Sequence, residues 1–282
     1  MSDTQPRRAW SSRRTLAVVA LAVAVVLAGC GAGGQPTTAG PGADISAADV
    51  RADVLAAVDG TDSYAVTGTT NVTVLANNQE QRVTVERETR VDRASQAFVT
   101  DQTTRVLGRT TEAEVYLQDG VFYQRSDAFV QAYSSEWIKQ DVSDNRSQAF
   151  RTADLLQQVT VSIENATALS LNGTAQVDGT EAYVLEADVN GSAVEAYALG
   201  SLQSSGLGGS VDVTDAALTV YASTETGEPL RVVSTTNASL SLQDQRIDVR
   251  SVSDARIRAE PVSVTLPEGA STAVNASTAL GA

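Results

Sequence analysis

The sequence predicts an α+β chain that is mostly β, built on one large antiparallel sheet. Three observations carry this expectation. From Ser63 onward, apolar and polar residues alternate in run after run, the mark of strands with one face in the core and the other in water. The turn signals "NNQ", "QDG", "VDG", "ETGEP" and "QDQ" separate consecutive runs by hairpin-like distances. Ahead of them stands a single long segment with clean helical spacing. A sheet with this many wet-faced strands and so little helix to cover it is expected to curve.

Taken in order, the chain begins with Arg7, Arg8, Arg13 and Arg14 against one acid, Asp3. An apolar run from Leu16 to Ala28 follows, and then Gly29 and Cys30. A basic region, a short apolar region and small residues are the three parts of a secretory signal. The run is shorter than the roughly 20 residues a spanning helix needs. "SRRTLA", with Arg13 and Arg14, resembles the twin-arginine export signal. "LAGC" resembles the lipobox of prokaryotic lipoproteins and contains the only cysteine. That resemblance implies removal of residues 1–29, a lipid on the Cys30 thiol, and a cell-membrane protein anchored on its extracellular face. Two acyl chains would make the anchor firm. With Cys30 so committed, no disulfide can form within the mature chain, and the exported domain must be held by its core.

Residues 30–45 read as the lipidated cysteine and a flexible Gly/Pro/Thr tether. "ISAADVRADVLAAVDG" reads as a helix, with Ser46 and Asp49 as a capping box, Val50, Val54, Ala57 and Val58 on one face, and Gly60 as the stop. Strands follow. "RVTVERETRV" sets Val83, Val85 and Val91 against Arg82, Glu86, Glu88 and Arg90, and "EAEVYLQDG" sets Ala113, Val115 and Leu117 against Glu112, Glu114 and Gln118. "EAYVLEADV" opposes Tyr183, Leu185, Ala187 and Val189 to Glu186 and Asp188, and "QRIDVRSV" opposes Ile247 and Val249 to Arg246, Asp248 and Arg250. Between 94 and 110 the strand register is not legible. Residues 147–159 and 192–206 break the alternation and read as two short helices. The β-rich domain is expected over 46–267, with 268–282 a disordered tail of small polar residues.

The formal net charge is −14, and Lys139 is the only lysine. Such an acidic balance, scarce in lysine, resembles proteins of salt-loving archaea; an ordinary acidic extracellular protein is the other reading. Nucleic acid is excluded as a partner for want of clustered cations. Asn71, Asn145, Asn165, Asn172, Asn190, Asn237 and Asn275 each begin an N-x-[ST] triplet, against roughly two expected by chance, and are candidate glycan acceptors on exposed sites.

There is no histidine, which removes imidazole triads and imidazole metal ligands. No phosphate-cradling loop follows a strand. The pairs Asp59/Asp62 and Asp212/Asp215 lack the ligand spacing of a calcium loop and read as solvated acids. No catalytic residue, metal or cofactor is expected, and the chain reads as a non-enzyme.

Several segments are similar to parts of the LolA-like lipoprotein superfamily, which includes the LppX/LprG-type lipid-binding lipoproteins. They are "QDGVFYQR" with "SSEWIKQDVS", then "VDGTEAYVLEADV", then "DAALTVYASTETGEPLRVVSTT". With the acidic composition, the chain resembles a haloarchaeal surface lipoprotein of this superfamily over residues 46–267. The resemblance implies a strongly curved, open or half barrel with a few helices on its concave face and a cavity there for a lipid or other hydrophobic ligand. Val83, Val85, Val115, Leu117, Phe122, Tyr183, Leu185, Leu218, Val220, Ile247 and Val249 are the positions that would line it. The same positions equally suit a filled core. Phe129, Tyr133 and Trp137 either mark a cavity mouth or pack a Trp strand under a helix. Two functions therefore stand: a membrane-anchored carrier or binding module for a hydrophobic molecule, or a structural envelope glycoprotein whose core is filled.

Overall fold

The computed structural model describes residues 45–76, 79–192, 210–242 and 245–276. The signal segment 1–29 with Arg13 and Arg14, Cys30, nearly all of the tether, and the expected helix beyond Ser192 lie outside those residues.

Helix α1 (Ala47–Asp59) forms where the capping signals place it. The Ser46 hydroxyl accepts from the Asp49 amide, the Asp49 carboxylate accepts from the Ser46 amide, and Val50, Val54 and Val58 are buried. A meander follows: β1 (Ser63–Ala76), β2 (Gln79–Asp92), β3 (Ala97–Val106), β4 (Arg109–Gln118), β5 (Val121–Arg125) and β6 (Trp137–Asp141). The short helix α2 (Phe129–Tyr133) lies between β5 and β6. Two further helices, α3 (Arg146–Ala153) and α4 (Leu155–Glu164), lead into a second meander. This comprises β7 (Ala166–Val177), β8 (Thr180–Val189), β9 (Ser210–Ser223), β10 (Pro229–Leu242) and β11 (Gln245–Ala259). A short β12 (Val274–Asn275) ends the described chain.

Among the described residues the strands form one 12-stranded sheet in the order β12-β6-β5-β4-β3-β2-β1-β11-β10-β9-β8-β7. The two meanders join where β1 pairs with β11 along nearly its whole length. Because β7 and β12 are edges, the sheet curves but does not close. Every pairing is antiparallel except β12 with β6. The helices enter the concave side: α1 packs on α4, β7, β8 and β10, while α3 contacts β3.

Residues 94–110 resolve into a hairpin whose turn is Leu107-Gly108, with φ of +50° and +75°. This is the two-residue geometry that Asn-Gly or Asp-Gly usually supplies. An exposed leucine in the left-handed region hid it from the sequence. Asp119-Gly120 and Asp178-Gly179 make the same turn with the expected residues.

Two expectations need correction. The helix read over 147–159 is two helices, parted at Asp154, whose backbone is extended and whose side chain caps α4 by accepting from the Gln157 amide at 3.2 Å. The segment read as a tail from 268 is, as far as Asn275, part of the fold. A 3-10 turn (Glu268–Thr272) and β12 seat Ala270 and Ala273 in a second apolar cluster with Val99, Tyr116 and Trp137. The small residues that suggested fraying are what allow this approach. A Cβ on Gly269 would stand 2.8 Å from Trp137 Nε1.

Candidate functional site

Strand alternation and register bring the inward residues to one surface. Val83, Val85, Leu117, Leu185, Leu218, Val220, Ile247 and Val249 are buried in the main apolar cluster, and Val115, Phe122 and Tyr183 pack against it half-buried. The cluster also takes in Val50, Val54 and Val58 of α1 and Leu156, Val159 and Ile163 of α4. The expected lining positions are thus brought together on the concave face. Some are fully covered, as at Leu117 and Leu185 (both 0% exposed). On β4 and β5, Val115 and Phe122 keep accessible surface, and Phe122 meets Phe98 edge-on with ring centroids 6.1 Å apart.

A buried polar pin holds α4 to this face. Tyr64, 0% exposed on β1, donates its hydroxyl proton to Asp154 at 2.8 Å. Arg93 reaches the other Asp154 oxygen through Nε at 3.0 Å. Its Nη1 donates to the carbonyls of Val58 at 2.5 Å and Thr61 at 2.9 Å, which ties in the end of α1. Burial and the Asp154 carboxylate beside it hold the Tyr64 hydroxyl well above the usual tyrosine range.

The alternation that carries Val83, Val85 and Val91 inward also carries Arg87 inward. Arg87 lies opposite Gly68 on β1 and Gln102 on β3, between buried Val85 and Thr89. Its parity with the valines was the available signal, outweighed by the expectation that charge faces water.

The outer face is different in kind. A trough of about 790 Å³ crosses the strands at Thr67–Thr69, Glu86–Glu88, Asp101–Thr103 and Glu112–Glu114, and it also touches Arg125 and Arg256. Several of the charges along it are paired: Arg105 with Glu86 at 2.6 Å, Arg90 with Asp101 at 3.5 Å, and Arg125 with Glu114 at 2.8 Å. The bond from Arg105 lowers the Glu86 carboxyl. Partial burial raises Asp101 despite the attraction of Arg90. Exposed pairs of this type contribute little to stability, because water screens them. Among the described residues no group of His, Cys, Asp or Glu stands in position to hold a metal ion. Asp59, Asp62, Asp212 and Asp215 are exposed.

Trp137 does not open onto the concave side. It is buried on the outer face against Tyr116, ring centroids 5.9 Å apart, beneath the C-terminal segment. Burial, with Glu114 nearby, pushes the Tyr116 hydroxyl up to about 12. Phe129 and Tyr133 pair edge-on within α2, centroids 5.9 Å apart. Of the N-x-[ST] asparagines, Asn71, Asn145, Asn165, Asn172, Asn190 and Asn275 are exposed. Asn237 is half-buried, and its Nδ2 donates to Asp215 at 3.0 Å.

Residues 46–218 match a family described as a family of unknown function, DUF6612. Among solved structures, the chain is similar to the lipoprotein LppX from Mycobacterium tuberculosis at 15% identity and a TM-score of 0.38, covering 77% of this chain and 98% of that one. It is similar to LprF from Mycobacterium bovis at 12% identity and a TM-score of 0.41, over 78% and 96%. A putative outer membrane lipoprotein-sorting protein domain from Vibrio parahaemolyticus is similar at 11% identity and a TM-score of 0.27, over 77% and 94%. At those scores the likeness assigns no function to this chain. No curated protein matches it.

Proposed function

This chain belongs to DUF6612, a family of unknown function, and we propose that it is a membrane-anchored extracellular lipoprotein whose concave sheet face binds a lipid or other hydrophobic molecule. One observation carries the reading. On β4 and β5, Val115 and Phe122 face the concave side of an unclosed sheet and keep accessible surface there. Inward apolar side chains with open surface form a binding wall more readily than a finished core. In this reading Arg13 and Arg14 direct export, residues 1–29 are removed, and lipid on Cys30 tethers a domain spanning 46–267 to the membrane. The exposed N-x-[ST] asparagines carry glycans. The acidic, lysine-poor surface suits a haloarchaeal brine.

The complete burial of Leu117 and Leu185 favours a second reading, an envelope glycoprotein with a filled core and no ligand. Fluorescence titration of the full-length chain with cis-parinaric acid separates the two. Saturable binding with one site per chain is expected of a carrier; emission that rises linearly without saturation would establish the filled core. The anchor is tested independently. Cys30→Ser should leave an uncleaved precursor or release the protein to the medium, and unchanged processing and membrane retention would refute lipidation.

A further inference from the structure

Arg87 is a cation turned toward the apolar side of the sheet, a costly place for an unpaired charge. The inward positions around it carry no acid. Across the strands it faces Gly68 and Gln102, and the diagonal and same-strand positions include Thr70, Thr89, Thr100 and Thr104. The nearby carboxylates of β2 and β3 alternate to the outer face, where Glu86 and Asp101 are taken by Arg105 and Arg90. Among the described residues no side-chain hydrogen bond or ion pair is made by Arg87; burial lowers the pKa of its guanidinium, and the Tyr64 hydroxyl acts on it in the opposite sense. Yet the residue is only half-buried. Part of its surface therefore stays accessible. Gly68 and Ala255, which follow one another beside Arg87 in the same inward row, contribute almost no side chain.

Gln102 adds polarity without charge. It stands opposite Arg87 in the register, and its Nε2 donates to Thr104 at 3.1 Å. The threonine hydroxyls supply further donors at short range, with Thr89 and Thr100 already bonded to each other at 2.9 Å. A guanidinium presents a planar fork suited to a phosphate or carboxylate group. Beyond it, on the same face, lie Val85, Val115 and Phe122.

We propose that Arg87 receives the anionic headgroup of an amphiphile whose apolar chain lies along the concave face. This rests on the reading of that face as a ligand site, and it narrows the ligand from any hydrophobic molecule to one with a negatively charged end.

The test uses the full-length chain and two probes with the same tail, decyl phosphate and decanol, each titrated below its aggregation concentration by displacement of cis-parinaric acid. Decyl phosphate should bind about tenfold or more tightly than decanol, in keeping with the strength of charge-assisted bonds away from water. Arg87→Met should abolish that preference by weakening decyl phosphate binding about tenfold or more, while Arg87→Lys retains part of it. Gln102→Leu, the milder variant, should reduce the preference without touching the charge. Equal binding of the two probes by the unaltered chain, or a preference that survives Arg87→Met, would overturn the role of Arg87 while leaving the apolar site standing. Displacement by inorganic phosphate as effective as by decyl phosphate would overturn the amphiphile assignment. Binding of neither probe would overturn the ligand site itself.

Discussion

Replacing Asp154 with alanine removes the group on which three elements converge. Its carboxylate accepts from Tyr64 Oη at 2.8 Å, from Arg93 Nε at 3.0 Å and from the Gln157 amide at 3.2 Å, and its side chain is 3% exposed. Deleting one partner of a buried ion pair costs about 3–5 kcal/mol, because the other charge is left uncompensated. Loss of the helix cap, about 1 kcal/mol, lies within that range. Arg93 keeps the Val58 and Thr61 carbonyls as acceptors, and its side chain is 19% exposed. The expected loss is therefore at the low end, about 3 kcal/mol. In urea, with a slope near 2–3 kcal/mol per molar, this is a midpoint shift of roughly 1 M at unchanged slope. Asp154→Asn keeps the cap and an acceptor for Tyr64, and should lose about half as much. Tyr64→Phe alone removes the bond to Asp154 and the longer one accepted from the Leu156 amide at 3.4 Å, and combining it with Asp154→Ala should add less than its separate cost, since the two share the first bond. A shift under about 0.3 M for Asp154→Ala, or full additivity with Tyr64→Phe, would refute the account of the pin.

Other consequences can be measured directly. The hydroxyls of Tyr64 and Tyr116 hold their protons more tightly when folded than the ordinary tyrosine value near 10. The unfolded chain therefore loses those protons first, and stability should fall as pH rises above about 10. Tyr64→Phe should flatten the slope, and an unchanged slope would contradict it. Gly269→Ala forces a contact at 2.8 Å from Trp137 Nε1. It should cost about 1–3 kcal/mol and shift Trp137 emission to the red; unaltered emission would mean that the segment does not press on the indole. Leu117→Ala, at a fully buried position, should lower stability by about 2–5 kcal/mol in the same urea assay, and a smaller loss would show the core around β4 to be loose. Asn237 has its amide nitrogen bound to Asp215, so Asn237→Gln should not change the glycan mass of protein from its own host. A mass loss there would show that the bond opens before modification.

Much of the architecture was legible because period-two alternation and turn chemistry are local signals. The capping box at Ser46 and Asp49, the inward valines of β2 and the Asp-Gly turns could all be read from short windows of sequence. What escaped depended on partners far along the chain. Asp154 looks like one residue of a continuous helix until Tyr64 and Arg93, some 90 and 61 positions away, engage it. The segment after Glu268 looks like a tail until Trp137 supplies a surface that only small residues can approach. The position of Trp137 in the sequence marks a strand but not which face is covered, so it suits a cavity mouth as well as a packed strand. Arg87 escaped for a related reason. Parity placed it inside, and only the register with Gly68, Gln102 and the short hydroxyls makes an inward arginine intelligible.

The most direct test of the central claim is native mass spectrometry of the full-length protein extracted from its own membrane. A ligand-binding concave face predicts a stoichiometric, non-covalent adduct that is amphiphilic and anionic, released on unfolding and absent from Arg87→Met. A mass equal to the polypeptide with its covalent modifications, unchanged after incubation with decyl phosphate, would contradict the account and leave the curved sheet as a filled structural core.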